Sequence, residues 1–127
     1  MDKMPGKASG KTIVLVADDD QKILRFVRTS LKLAGYEVIT VECGEDALKA
    51  VETEKPDVML LDILMPGTDG FEVLKRLRPA SCLPVIAFSA HASATDEAMR
   101  LGANAFLAKP FRPDELAAKI ESVLGHR

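Results

Sequence analysis

The chain has 127 residues, a length that suits one domain around one packed core and is short for two. Its 17 Lys and Arg against 19 Asp and Glu give a formal net charge of -2 and no basic run, which argues against direct nucleic-acid binding; 47% hydrophobic and 28% charged residues argue against disorder overall. Cys43 and Cys82 form no CxxC pair and lack zinc-ligand spacing, so both are read as buried or chemically neutral thiols.

Residues 1–11 contain Lys, Pro and Gly but no apolar signal-peptide core, and they read as a flexible tail. The folded domain is expected over residues 12–125. No apolar run approaches the ~20 residues that span a bilayer, so a cytoplasmic location without membrane association is expected.

Thr12 to Ala17, TIVLVA, is a β-branched apolar run of the kind that forms a strand buried on both faces, and it stops at Asp18, Asp19 and Asp20. From Gln21 to Leu33 the apolar residues Ile23, Leu24, Phe26, Val27, Leu31 and Leu33 recur at helical spacing, with Asp20 as N-cap and Gly35 as stop signal. Tyr36 to Val41 reads as a strand, Glu45 to Thr53 as a helix and, after Pro56, Asp57 to Leu61 as a second buried strand. MPGTDG is loop-like, and Phe71 to Leu77 has the spacing of a short amphipathic helix. Pro84 to Phe88 makes a strand and Thr95 to Leu101 a helix. Ala105 to Ala108 is the last strand, and Pro113 to Leu124 is a helix opened by proline at an early position.

Five strands alternating with five helices predict an α/β fold: a five-stranded parallel sheet, doubly wound, with helices on both faces. Ligands in such sheets bind beyond the carboxyl ends of the strands. Asp18, Asp19, Asp62, Ser89 and Lys109 all fall at those ends. Clustered carboxylates raise one another's pKa, which invites a hard cation or a lysine; magnesium takes oxygen ligands and keeps several waters. Manganese accepts the same donors. One capping residue suffices for the first helix, so capping leaves Asp18 and Asp19 over, and it does not account for Asp62. An aspartate can attack phosphorus to form an acyl phosphate, and Asp62, held at the end of DVMLLD, is the natural nucleophile. Lys109 is within reach of Asp62 or a phosphate oxygen, and Ser89 can donate its hydroxyl to the same group.

Together VLVADDD, DVMLLDILMPGTDG, PVIAFSA and AKPF resemble the ordered motifs of bacterial response-regulator receiver domains over roughly residues 12–125. The resemblance implies strand order 2-1-3-4-5, as in chemotaxis receivers. It implies Asp62 as phosphoacceptor, with Asp18, Asp19, Asp62 and the Leu64 backbone carbonyl around magnesium. Lys109 matches the phosphate-contacting lysine, Ser89 the hydroxyl switch residue and Phe106 the aromatic switch position. The Lys109-Pro110 bond matches one that is usually cis. Phe106 departs from the tyrosine of many relatives, so a phenolic hydrogen bond is not available to the switch. Leu64 and His91 stand at variable positions bordering the path of attacking water.

The implied activity is phosphotransfer signalling rather than turnover catalysis: a sensor histidine kinase or phosphotransfer protein donates to Asp62, and the surface of the fourth helix, fifth strand and fifth helix selects a downstream protein or a linked output domain. The chain assists its own phosphorylation and slow dephosphorylation. Asn104-Ala105 replaces the paired acids of many relatives, which leaves phosphorylation-dependent dimerisation open. A phosphohydrolase would want an acid where Leu64 stands, and a phosphorylation-independent receiver-like interaction module would not need the whole set of polar residues.

Overall fold

A computed structural model describes residues 10–125. The tail expected over residues 1–11 lies, for residues 1–9, outside the described residues. In chain order the elements are β1 (Ile13–Ala17), α1 (Gln21–Leu33), β2 (Glu37–Val41), α2 (Gly44–Glu54), β3 (Val58–Asp62), α3 (Gly70–Leu77), β4 (Val85–Ser89), α4 (Ala94–Arg100), β5 (Ala105–Ala108) and α5 (Pro113–Leu124). The strands form one parallel sheet in the order β2-β1-β3-β4-β5, as the sequence reading expects.

Every residue of β1, β3 and β4 is buried, which accounts for their unbroken apolar sequences, whereas the edge strand β2 begins with exposed Glu37. Because side chains alternate across a strand, the sheet divides them between two cores. Val14, Val16, Leu60, Ile86 and Phe88 face one side, packed with Leu24, Val27 and Leu31 of α1 and Leu116 and Ile120 of α5. Leu15, Met59, Leu61 and Ala87 face the other, with Ala47 of α2, Val73 and Leu74 of α3 and Ala98 of α4. Each fully buried aliphatic side chain contributes roughly 1.5–3 kcal/mol relative to exposure.

Local chemistry sets the helix ends. Asp20 and Asp69 accept hydrogen bonds from the amides of Lys22 and Glu72, each at 2.9 Å, and so cap α1 and α3. In α5 the Glu115 carboxylate reaches back to the Arg112 amide at 2.8 Å. At the far edge of the sheet Arg78 donates to Gly102 O at 2.9 Å and Asn104 Oδ1 at 3.1 Å, joining the end of α3 to the turn before β5. Both cysteines are free thiols; Cys82 is exposed in the loop before β4 and Cys43 is half-buried. Among the described residues no helix is long and apolar enough to cross a membrane.

Candidate functional site

The parallel register brings the carboxyl ends of β1, β3, β4 and β5 to one rim: Ala17 pairs with Leu61, Asp62 with Phe88 and Ser89 with Ala108. The buried polar side chains of the described residues are Asp18, Asp62 and Ser89, and all three sit at this rim. Buried polar groups require compensation, and each has it. Asp18 Oδ1 accepts the Asp20 amide at 2.9 Å, and Asp62 Oδ1 accepts the Leu64 amide at 3.2 Å. Ser89 Oγ accepts the His91 amide at 3.0 Å, leaving its own proton for another acceptor.

Lys109 enters from the loop after β5, where its amide donates to Ser89 O at 2.9 Å. Its ammonium lies 3.1 Å from Asp18 Oδ2 and 3.6 Å from Asp62 Oδ2. The nearer carboxylate is therefore Asp18, whereas the sequence alone directs attention to Asp62. The Lys109-Pro110 peptide bond is cis.

Asp18, Asp19 and Asp62 each offer a carboxylate oxygen within 4.8 Å of the other two; Asp18 and Asp62 are buried and Asp19 is exposed. Burial and the charge of Asp18 together push the Asp62 carboxyl up to about 7, against the opposing pull of Lys109 and the Leu64 amide. One ammonium thus leaves the cluster incompletely compensated. An all-oxygen donor set that is open to water through Asp19 fits a hard divalent cation such as magnesium.

Strand alternation also divides the remaining candidates. Asp62 pairs with Phe88 and continues the row of Leu60 on the α1 and α5 side, and the Lys109 ammonium lies over the Phe88 ring. Ser89 and Phe106 continue the opposite side, where Phe106, half-buried, packs against the core of α2, α3 and α4 and pairs with Ala87. Leu64, 51% exposed, and exposed His91 border the rim without joining the carboxylate cluster.

One rim residue escapes the sequence reading. Phe88, read there only as part of a strand, lies fully buried with its ring centroid 4.8 Å from Lys109 Nζ. No local pattern announces it, because the register of β3 against β4 decides which residue of β4 shares a face with Asp62.

Comparison with known proteins gives one consistent result. Residues 14–121 match the family model of the response regulator receiver domain. The alkaline phosphatase synthesis transcriptional regulatory protein PhoP of Bacillus subtilis (strain 168) is 40% identical over 114 residues, covering 87% of this chain and 48% of that protein. Among solved structures, the receiver domain of Francisella response regulator 1452 has a TM-score of 0.83 at 35% identity, covering 90% of this chain and 97% of that one. The Vibrio cholerae chemotaxis protein CheY4 has a TM-score of 0.82 at 32% identity, covering 89% of this chain and 98% of that one. The chain spans about half the length of the curated relatives it matches.

Proposed function

Because the chain belongs to the response regulator receiver domain family of two-component systems, we propose that it accepts a phosphoryl group on Asp62 in a magnesium-dependent reaction and changes an output surface in response. The donor is a phosphohistidine of a sensor histidine kinase or phosphotransfer protein. The observation that carries the reading is the buried Asp62 carboxylate at the sheet rim, within 3.6 Å of Lys109 and clustered with Asp18 and Asp19.

An Asp62 oxygen attacks phosphorus as the bond from phosphorus to the donor imidazole nitrogen breaks, and the imidazole keeps the electron pair of that bond. The strand end and the Leu64 amide hold the carboxylate in place, so little orientation is lost on reaction. Lys109 pairs with an oxygen of the arriving group, and the Ser89 hydroxyl donates to another. Asp18, Asp19, Asp62 and the Leu64 carbonyl would hold magnesium, or manganese in its place. Bound there, the ion neutralises charge on the transferred group.

Drawing Ser89 towards the phosphoryl group vacates space on the α2 to α4 side, into which Phe106 moves. The surface of α4, β5 and α5 then differs between the two states and selects a downstream protein or a linked output domain. Without a hydroxyl, Phe106 switches by packing alone. The chain acts as a cytoplasmic phosphoacceptor with slow self-hydrolysis, not as a turnover enzyme.

Intact mass after treatment with acetyl phosphate and magnesium tests the reading. A phosphoryl adduct that is lost in Asp62→Ala and in EDTA is expected. A folded parent chain that gains no adduct would overturn the assignment and favour a phosphorylation-independent interaction module.

A further inference from the structure

Beneath the acidic rim lies an aromatic ring for which the transfer chemistry has no evident use. Phe88 pairs across the sheet with Asp62, and its ring carries the Lys109 ammonium 4.8 Å from the centroid. The ammonium is therefore faced by three groups: Asp18 Oδ2 at 3.1 Å, Asp62 Oδ2 at 3.6 Å and the ring. The carboxylates attract it to the rim, and the negative face of the ring attracts it from below. The ring is itself held in orientation. Phe111 meets it edge-on at 5.8 Å and 77°, and Phe26 of α1 packs on Phe111 at 6.0 Å.

We propose that Phe88 is a positioning residue for phosphoryl transfer: its ring face holds the Lys109 ammonium between Asp18 and Asp62, where it meets an oxygen of the incoming phosphoryl group. The proposal rests on the reading of Asp62 as phosphoacceptor. A buried leucine would fill similar space but offer the cation nothing. The ammonium would then settle on Asp18, already its nearer carboxylate, and be less well placed to pair with the transferred group. A strand residue two positions along from the core residue Ile86 thereby acquires a part in the chemistry through Lys109.

The test replaces Phe88 in the full chain by mono-, di- and trifluorinated phenylalanine, which stay close to the native shape while the ring face grows progressively less negative. Acetyl phosphate with magnesium is the donor. An Asp62 oxygen bonds to phosphorus as the bond from phosphorus to the acetyl oxygen breaks and acetate leaves. The rate of adduct formation is expected to fall stepwise across the series, reaching roughly threefold to tenfold, with the melting temperature unchanged. Independently of phosphorylation, the ring current of Phe88 should shift the Lys109 Cε protons upfield, and Phe88→Leu should remove that shift. A flat rate series on a chain that still forms the adduct would overturn the positioning role, and so would an absent ring-current shift. No adduct on the parent with the shift intact would overturn the phosphoacceptor reading itself, and with it the reaction that the ring serves.

Discussion

Lys109 stands nearer to Asp18 than to Asp62, 3.1 Å against 3.6 Å, so its charge acts mainly on Asp18 and less on the proposed phosphoacceptor. Asp62, undercompensated, is held up at about 7 by burial and by Asp18. The consequence is a pH-dependent cost of folding. Below about pH 4 the carboxyl is protonated in both states and no cost arises; between about 4 and 7 the unfolded chain releases the proton that the folded chain retains, and stability falls as pH rises. Measured by urea unfolding in EDTA, the parent should lose on the order of 2 kcal/mol relative to Asp62→Asn between about pH 5 and about pH 8. Magnesium should narrow the difference at the higher pH. A pH-independent difference would contradict the electrostatic account.

Leu64, two residues beyond Asp62, is 51% exposed, and its amide is bonded to the Asp62 carboxylate. An apolar side chain there offers attacking water no hydrogen bond, whereas asparagine would. Following the loss of the adduct over time, Leu64→Asn should dephosphorylate roughly threefold to tenfold faster than the parent, and equal or slower decay would count against shielding by Leu64.

Gly70 opens α3 against the backbone at the end of β3. A Cβ at this position would lie 2.6 Å from Asp62 O and 2.7 Å from Ile63 Cα, backbone atoms that cannot move without moving Asp62. Gly70→Ala should therefore destabilise the fold by about 1–3 kcal/mol and slow phosphorylation as well. Urea midpoints and adduct rates at a temperature where the variant remains folded would separate the two effects.

Lys55 ends α2 with φ of 50°, the one non-glycine residue in the left-handed region among those described. Glycine is relieved of the Cβ clash that this conformation imposes. Lys55→Gly should raise stability by roughly 0.5–1 kcal/mol, read as a higher urea midpoint with unchanged slope, and should leave phosphorylation unaffected.

The architecture and the position of the rim were legible in the chain because periodicity and breakers act locally. The bounds of α1, β5 and α5 agree with the sequence reading, and the other elements differ by one residue at one or both ends. Asp62 and Ser89, expected just past their strands, are the last strand residues, because Ile63 N still donates to Phe88 O and Lys109 N to Ser89 O. What stayed hidden depends on distances that only folding creates. Lys109 and Asp18 are 91 positions apart, and which of two carboxylates an ammonium approaches more closely is a matter of a fraction of an ångström. Arg78 finds Asn104 across 26 positions, a pairing that no local pattern announces. Residue type leaves the burial of Cys82 open, and the loop between Arg78 and Val85, which runs over the surface, settles it as exposed.

The alternation of side chains across β3, β4 and β5 puts Asp62, paired with Phe88, on one side of the sheet and Ser89 and Phe106 on the other. A backbone one layer thick thus separates the layer beneath the proposed acceptor from the layer beneath the proposed switch, with Ser89 the site residue that bears on both. On that reading, core substitutions around Phe106 act first on how the switch packs, and those around Phe88 act first on the Lys109 ammonium.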